Sequence, residues 1–206
     1  MTVLLPANAE AIQTALEILQ SGGLVSFPTD TVYGVGALAF DAKAVESIYT
    51  AKDRPIEKAI PILIGGAEDM EKVGMNIPDI AHQLAARFWP GPLTVVIPKK
   101  PTLPESVSAT DTVGVRMPDH EVARALLRAA GPMAVTSANI SGQPSPSTAP
   151  EVFAQLGGRI DLIIDGGATP GGVPSTVIDC TGEELRILRE GPISLEEIRI
   201  KLSSPI

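Results

Sequence analysis

The chain is poor in the residues that build disulfides and metal sites. Its 206 residues include one cysteine, Cys180, and two histidines, His82 and His120. One cysteine excludes an intramolecular disulfide, and without a cysteine cluster a structural zinc site is disfavoured, which fits a reducing compartment. Two histidines also make a histidine-based metal site or a Ser-His-Asp triad a poor interpretation. The sequence therefore predicts no protein metal site, and its catalytic residues stay unassigned.

Long apolar runs are absent too. No stretch approaches the roughly 20 apolar residues that are needed to cross a bilayer. The N-terminus has no basic region followed by an apolar segment, so it does not match a signal peptide. We therefore expect a cytoplasmic protein with no membrane partner.

Positive charge is scarce, because 16 Lys and Arg stand against 24 Asp and Glu, which gives a net charge of -8. A surface that follows a nucleic-acid backbone needs many cationic contacts. We therefore expect weak direct tRNA binding or none. A few cations that converge in one cleft can nevertheless hold a small anion.

Aromatic residues make up only 3 % of the chain, whereas apolar residues make up 44 %. Leu, Ile, Val and Ala must therefore fill the core, as is common where helices cover a sheet. The length is compatible with one α/β domain, and no linker or internal repeat divides it. We expect a single domain over residues 1–206, with its core at about 8–194.

Helices and strands are predicted to alternate, which indicates an open α/β sheet. Caps are available for several helices, including Asn8, Asp41 and the capping box of Ser194 with Glu197. The last two strands are separated by a short polar segment and should form an antiparallel hairpin, which makes the sheet mixed. The predicted helices are Glu10–Gln20, Ala42–Ala51, Asp79–Phe88, Glu121–Ala130 and Glu151–Leu156, and the predicted strands are Leu24–Phe27, Ile60–Ile64, Leu93–Ile97, Val113–Met117, Ala134–Thr136, Leu162–Ile164, Thr176–Asp179 and Leu185–Leu188.

The nucleotide-binding motifs that are easiest to recognise are missing. No G-x-x-x-x-G-K-[ST] follows a strand and no G-x-G-x-x-G opens a helix, so P-loop and Rossmann binding are disfavoured. Five other segments concentrate polar side chains near strand ends. They are Ser26–Gly36, the cations Lys52, Arg54 and Lys58, Thr112–Pro118, Thr136–Thr148, and a glycine-rich stretch with Gly166, Gly167, Gly171, Gly172, Ser175–Asp179 and Arg189.

Each segment has a functional and a purely structural interpretation. Pro28-Thr29-Asp30 is either a ligand loop or a simple turn. The cations around Arg54 either grip phosphate, or are solvated with Lys52 complementing a helix C-terminus. Because strand residues alternate between faces, Thr112 and Arg116 share one face, which is either a solvated edge or a carboxylate site. The hydroxyls of Thr136–Thr148 bind phosphate or ribose, or cap backbone groups locally.

Taken together and in this order, the segments resemble the YrdC-like family of threonylcarbamoyl-AMP synthases, in its short single-domain form. The similarity rests on Pro-Thr-Asp-Thr-Val-Tyr-Gly, Lys-x-Arg-Pro, Val-Arg-Met-Pro, Ser-Ala-Asn-x-Ser-Gly and Ser-Thr-Val-Ile-Asp, and extends from about the first predicted helix to Arg189. The resemblance implies an α/β fold with a single-domain, twisted, open mixed sheet, helices on its faces, and a deep basic cavity.

The resemblance also implies an activity: condensation of L-threonine, bicarbonate and ATP, with Mg²⁺, to threonylcarbamoyl-AMP and pyrophosphate. The product serves N6-threonylcarbamoyladenosine formation at tRNA position 37 through a downstream tRNA threonylcarbamoyl transferase complex. By motif, threonine would contact Thr31, Arg116 and Thr136. The ATP-binding residues would be Lys52, Arg54, Lys58, Thr112, Ser137, Asn139, Ser145 and Arg189.

Two departures and two rival functions accompany the resemblance. Some longer relatives carry Asn in place of Lys58 and a threonine-contacting His in place of Leu63, and leucine cannot form that hydrogen bond. One rival is a double-stranded RNA-binding protein of the same fold, which the acidic charge and scarce aromatics disfavour. The other is a paralogue of unassigned activity, which is expected to lack Lys-x-Arg-Pro and Ser-Ala-Asn.

Overall fold

The computed structural model describes residues 1–170 and 172–203, so Gly171 of the fifth polar segment lies outside it. Ten strands within these ranges form one sheet in the order β1-β8-β2-β3-β7-β4-β6-β5-β9-β10. The sheet is mixed, with parallel pairs such as β4 with β6 and antiparallel pairs such as β5 with β6. The strands are β1 (Val3–Pro6), β2 (Val25–Phe27), β3 (Gly34–Leu38), β4 (Ile62–Leu63), β5 (Leu93–Pro98), β6 (Thr112–Arg116), β7 (Met133–Ser137), β8 (Leu162–Asp165), β9 (Thr176–Asp179) and β10 (Arg186–Arg189).

Helices cover both faces of the sheet. Those in the described ranges are α1 (Ala9–Gln20), α2 (Ala42–Lys52), α3 (Met70–Val73), α4 (Asp79–Phe88), α5 (Glu121–Ala130), α6 (Ala149–Leu156) and α7 (Leu195–Ser203), with a 3₁₀ turn at Ala67–Asp69. One apolar cluster packs α1 and α5 against the sheet, and a larger one packs α2, α4 and α6 on the opposite face. In β8, Ile163 belongs to the larger cluster while Leu162 and Ile164 belong to the other, as strand alternation requires.

Most of the predicted elements are confirmed. The helices at Asp79–Phe88 and Glu121–Ala130 and the strand at Thr176–Asp179 have the predicted bounds. The amide of Ala11 donates to Asn8 Oδ1 and that of Ala44 to Asp41 Oδ1, so both caps are used. Strands β9 and β10 form the predicted antiparallel hairpin.

Four elements were missed, and one strand is much shorter than predicted. Strand β3 carries two glycines, which are weak strand formers, yet it lies between β2 and β7 in the middle of the sheet. Strand β1 is a short, mostly exposed edge strand, and the turn and short helix at 67–73 have no long apolar period. Of the predicted strand Ile60–Ile64, only Ile62–Leu63 forms a strand.

No helix within the described ranges is both long enough and apolar enough to span a bilayer. The fold instead brings the ends of distant strands together. The turn after β2, the loop before β4, the end of β6, the end of β7 and the hairpin of β9 with β10 all reach one region.

Candidate active site

Two adjoining cavities lie where these elements meet. They share Ala59, Pro61, Thr94 and Arg189 in their walls. The first, of about 200 Å³, is named here the arginine cavity and is lined by Thr29, Thr31, Val32, Gly34, Arg54, Ala59, Pro61, Leu63, Thr94, Arg116, Val135, Thr136, Ser137, Pro174, Ser175 and Arg189. The second, of about 260 Å³, is named the hydroxyl cavity and adds Ile60, Val96, Ser108, Thr110, Thr112, Val113, Gly114, Val177 and Leu188.

Arg116 ends β6 and is held on three sides. Its Nε donates to the carbonyl oxygen of Gly91 at 3.0 Å, Nη1 donates to Thr31 Oγ1 at 3.2 Å, and Nη2 forms an ion pair with Asp30 Oδ1. Burial lowers the pKa of the Arg116 guanidinium, and the Asp30 charge opposes that shift. A guanidinium fixed in this way keeps further N–H donors for a ligand in the cavity and can pair with a carboxylate through two hydrogen bonds.

Arg54 and Arg189 are held by neutral oxygens instead. Arg54 donates to the carbonyl oxygens of Lys58 at 3.2 Å and Ala59 at 2.9 Å. Arg189 donates twice to the Ser175 carbonyl oxygen, at 3.1 and 2.9 Å, and once to Ser175 Oγ. Neither forms an ion pair with a carboxylate of a described residue, so two of the three guanidinium charges in the cavity wall are uncompensated.

The arginines of the cavity wall lie close enough together for the charges of Arg54 and Arg116 to affect the pKa of Arg189. Burial lowers the pKa of Arg189, and the positive charges of Arg116 and Arg54 lower it further. Burial also lowers the pKa of Arg54. Since arginine stays charged at any physiological pH, the repulsion among these cations favours a ligand that brings negative charge.

Hydroxyl groups complete the walls. Thr29 Oγ1 lies 3.1 Å from Thr31 Oγ1 and donates to the Val32 carbonyl oxygen at 2.7 Å, which fixes the turn after β2. Thr94 Oγ1 and Ser175 Oγ are 2.8 Å apart and join β5 to the segment before β9. In the hydroxyl cavity, Thr110 Oγ1 is 3.1 Å from Thr112 Oγ1. These oxygens can donate to or accept from a polar ligand.

The structure brings most of the predicted site residues together. Thr31, Arg54, Arg116, Thr136, Ser137 and Arg189 line the arginine cavity, and Thr112 lines the hydroxyl cavity. Lys52, Lys58, Asn139 and Ser145 are not in either lining as described. Lys58 is exposed on the loop between α2 and β4, whereas Lys52 and Asn139 are buried. Leu63 does lie in the wall, where it offers only apolar contact.

Sequence reasoning missed Thr94, which lines both cavities, and gave no role to Asp30 or His120, which line neither. Thr94 is the one polar residue of β5, and the apolar residues around it indicate only a buried strand. The sequence marks Asp30 only as part of a ligand loop or a turn, whereas the structure pairs it with Arg116. His120 precedes α5, and its Nδ1 is buried without a hydrogen-bond partner among the described residues, as is Asp30 Oδ2. A polar residue inside an apolar strand was the available signal for Thr94, but no local pattern marks the other two.

The donor set does not favour a protein-bound metal. No group of three His, Cys, Asp or Glu that could hold a metal ion occurs among residues 1–170 and 172–203. The cavities instead offer guanidinium groups and hydroxyls, which are typical partners of phosphate, carboxylate and ribose oxygens. The arrangement can bind a small polyanion and orient it.

Comparisons with known proteins agree with this chemistry. A threonylcarbamoyl-AMP synthase from Pyrococcus abyssi is 48 % identical over 189 residues, which cover 91 % of this chain and 56 % of the relative. The crystal structure of P. abyssi Sua5 complexed with L-threonine superposes with a TM-score of 0.92 at 45 % identity, covering 98 % of this chain and 61 % of that one. This chain thus spans less than two thirds of both.

A third protein shares the fold at lower identity. Escherichia coli YciO matches with a TM-score of 0.86 and 28 % identity, covering 96 % of this chain and all of YciO. Finally, residues 17–191 match the Sua5, YciO and YrdC family model, which is described as telomere recombination. The chain belongs to the Sua5/YciO/YrdC family.

Proposed function

We propose that this protein is an L-threonylcarbamoyladenylate synthase, which condenses L-threonine, bicarbonate and ATP to threonylcarbamoyl-AMP and pyrophosphate. The observation that carries the proposal is the convergence of Arg54, Arg116 and Arg189 on one cavity, two of them without a carboxylate partner among the residues that the structure describes. Such a cavity suits two anionic substrates that must meet, a carboxylate and a triphosphate. The relatives named threonylcarbamoyl-AMP synthase and the threonine complex of P. abyssi Sua5 support it.

The two cavities would bind different parts of the substrates. Threonine would occupy the arginine cavity, with its carboxylate on Arg116 and its polar groups near Thr31 and Thr136. The triphosphate would lie along Arg54 and Arg189, and the nucleoside would extend into the hydroxyl cavity at Thr112. Ser137 would contact the nucleotide from the arginine cavity, while Asn139 and Ser145 would act from the loop that follows, and Lys58 from the loop before β4.

Mg²⁺ would arrive with the nucleotide as part of the substrate. The described residues offer no cluster of metal-binding side chains, so phosphate oxygens would be its main ligands. When bound, it would neutralise part of the triphosphate charge. Arg54 and Arg189 would then bind the phosphate oxygens that remain exposed to the cavity.

The reaction balances without a protein nucleophile. The threonine amine attacks the carbon of bicarbonate, a C–N bond forms, and water leaves to give the carbamate. A carbamate oxygen then attacks the α-phosphorus, and the bond to pyrophosphate breaks. The protein's part in both steps is to hold the reactants in line and to stabilise negative charge on oxygen, for which fixed guanidiniums and hydroxyls suffice.

The product would serve N6-threonylcarbamoyladenosine formation at tRNA position 37 in the cytoplasm. A threonylcarbamoyl-adenylate is a mixed anhydride, so it would pass to a separate tRNA threonylcarbamoyl transferase rather than accumulate. The acidic charge of the chain fits an enzyme that acts on small molecules and leaves tRNA to that partner.

A pyrophosphate-release assay tests the proposal. Release from ATP and Mg²⁺ should require both threonine and bicarbonate, and the other product should be identified as threonylcarbamoyl-AMP by mass spectrometry. Omitting either small substrate is the internal control. Release with ATP alone, or none under any condition, would contradict the proposal and favour an RNA-binding protein or a paralogue with a different substrate.

A further inference from the structure

Lys52 is the last residue of α2, and it is buried and lines neither cavity. The side chain is 1 % exposed, yet no carboxylate of a described residue pairs with it. Its Nζ donates instead to the main-chain oxygens of Ser137, the last residue of β7, and of Asn139, two residues further on. A buried ammonium is costly unless its protons are bonded, and these two carbonyl groups supply that compensation.

The main chain of Lys52 holds the same segment a second time. The amide of Ser141 donates to the Lys52 carbonyl oxygen at 2.8 Å. One residue at the C-terminus of α2 therefore fixes the backbone at 137, 139 and 141. A cation at this end of a helix is also stabilised by the helix dipole. We name this arrangement, Lys52 with the 137–141 backbone, the lysine clamp.

The segment that the clamp holds forms part of the arginine cavity. Ser137 lines the cavity, and its carbonyl oxygen accepts from Lys52. The next amide, of Ala138, donates to the Tyr33 carbonyl oxygen at 2.8 Å, so the peptide group between Ser137 and Ala138 is held at both its oxygen and its nitrogen. The orientation of Ser137 toward a ligand thus depends on contacts made behind it.

We propose that Lys52 is a positioning residue that orients Ser137 for the nucleotide through the lysine clamp and does not itself bind phosphate. This inference rests on the proposed nucleotide site. It differs from the prediction made from the Lys-x-Arg-Pro motif, in which Lys52 contacts ATP beside Arg54. Burial lowers the pKa of the Lys52 ammonium to about 7, with the positive charge of Arg54 adding to the decrease, which agrees with an amine removed from solvent and from anions.

A double-mutant cycle separates the two roles. Lys52→Met and Ser137→Ala are each expected to raise the ATP KM about tenfold, while the threonine KM changes by less than about threefold. If Lys52 acts through Ser137, the double variant should be no more than about threefold worse than the worse single variant. If both residues contact phosphate independently, the effects should multiply to about a hundredfold, which would overturn the proposal.

Lys52→Arg gives a second, independent test. A phosphate ligand should tolerate arginine, because arginine carries the same charge and binds phosphate well. The planar guanidinium cannot take the place of an ammonium between two carbonyl oxygens in a closed site, so the clamp predicts a loss of ATP binding similar to that of Lys52→Met. A wild-type ATP KM in Lys52→Arg would contradict it.

Amide hydrogen exchange tests the lysine clamp without a measurement of enzymatic activity. In Lys52→Arg, amides at 138–143 should exchange at least about tenfold faster than in wild type, with the rest of the sheet unchanged. Lys43→Met is the matched control, since Lys43 is an exposed lysine in the first turn of the same helix. Unchanged exchange at 138–143 would overturn the clamp even if Lys52→Met failed to fold. If the wild-type protein does not bind ATP by calorimetry, the proposed function is refuted. If the wild-type protein binds ATP but the effects of Lys52→Met and Ser137→Ala on the ATP KM multiply, only the lysine clamp is refuted.

Discussion

Arg116 and Asp30 form a buried ion pair that joins the end of β6 to the turn after β2. The two side chains are only 7 % and 13 % exposed, and they are 86 residues apart in sequence. Arg116 also donates to the carbonyl oxygen of Gly91, so three separate segments meet at one guanidinium. The residue predicted to recognise threonine is therefore held in place before any ligand binds.

The first prediction concerns that guanidinium. Arg116→Lys should raise the threonine KM at least about tenfold and leave the ATP KM within about threefold, because an ammonium cannot pair with a carboxylate through two parallel hydrogen bonds. Steady-state kinetics with each substrate varied separately will measure both values, alongside a melting curve. A larger change in the ATP KM would make Arg116 a phosphate ligand, and loss of folding alone would make it a structural ion-pair residue.

The second prediction concerns the loop between α2 and β4. Arg54→Ala should raise the ATP KM about ten- to a hundredfold, because a charge-assisted contact contributes roughly 1.5–3 kcal/mol. Lys58→Ala should also impair ATP use, although Lys58 is exposed and would have to reach the nucleotide from the loop. Lys43→Ala removes the same charge from an exposed position at the start of α2 and serves as the control. Wild-type kinetics in both loop variants would show that this segment is only a solvated connection.

The third prediction concerns His120 and pH. Burial lowers the pKa of His120, and the negative charges of Asp30, Asp119 and Glu121 oppose the shift without reversing it. Between the lowered folded-state pKa and the ordinary value near 6.5, the unfolded chain binds more protons than the folded one, so the free energy of unfolding should decrease as pH falls through this window.

Urea unfolding at pH 7.5, 6.5, 5.5 and 5.0 measures that decrease. His120→Asn removes the titrating group, so the wild-type curve should fall more steeply than the variant's, by at most about 1.4 kcal/mol per pH unit for one proton. Parallel curves would mean that His120 protonates equally well in both states.

The fourth prediction concerns RNA. The net charge of -8 leaves too few cations for a long phosphate track, so tRNA binding at physiological salt should be weak or undetectable. Filter retention with labelled tRNA measures it, with a basic RNA-binding protein as the positive control. Submicromolar binding would contradict the prediction and support the RNA-binding alternative.

The sequence predicted the alternation of helices and strands because aliphatic periodicity and helix caps are local signals. It did not predict β3, whose glycines carry no strand signal and whose pairing with β7 comes from a strand about a hundred residues later. Site residues with motif signals, such as Arg116 and Arg189, were predicted and do line one cavity. Their backbone acceptors at Gly91 and Ser175 were not, because a carbonyl oxygen has no sequence signature.

For Lys52, the sequence motif indicated a different binding partner from the one that the structure shows. Its motif indicated a phosphate ligand, and charge alone could not show that the side chain turns inward. The carbonyl groups that it meets lie at and just after the end of β7, 85 and 87 residues away. Whether an ammonium faces a ligand or a loop is decided by tertiary packing, which a linear pattern does not record.

The residues that line the arginine cavity extend along the chain from Thr29 to Arg189, so the cavity is completed late in biosynthesis. Thr29 and Thr31 leave the ribosome early, Arg116 follows, and Arg189 emerges only after the first strand of the final hairpin. Contacts between residues so far apart form late, since the intervening chain must first be ordered. The nascent protein therefore has no complete arginine cavity until residue 189 has been released from the exit tunnel, so a ligand that needs the whole cavity cannot assist the earlier stages of folding.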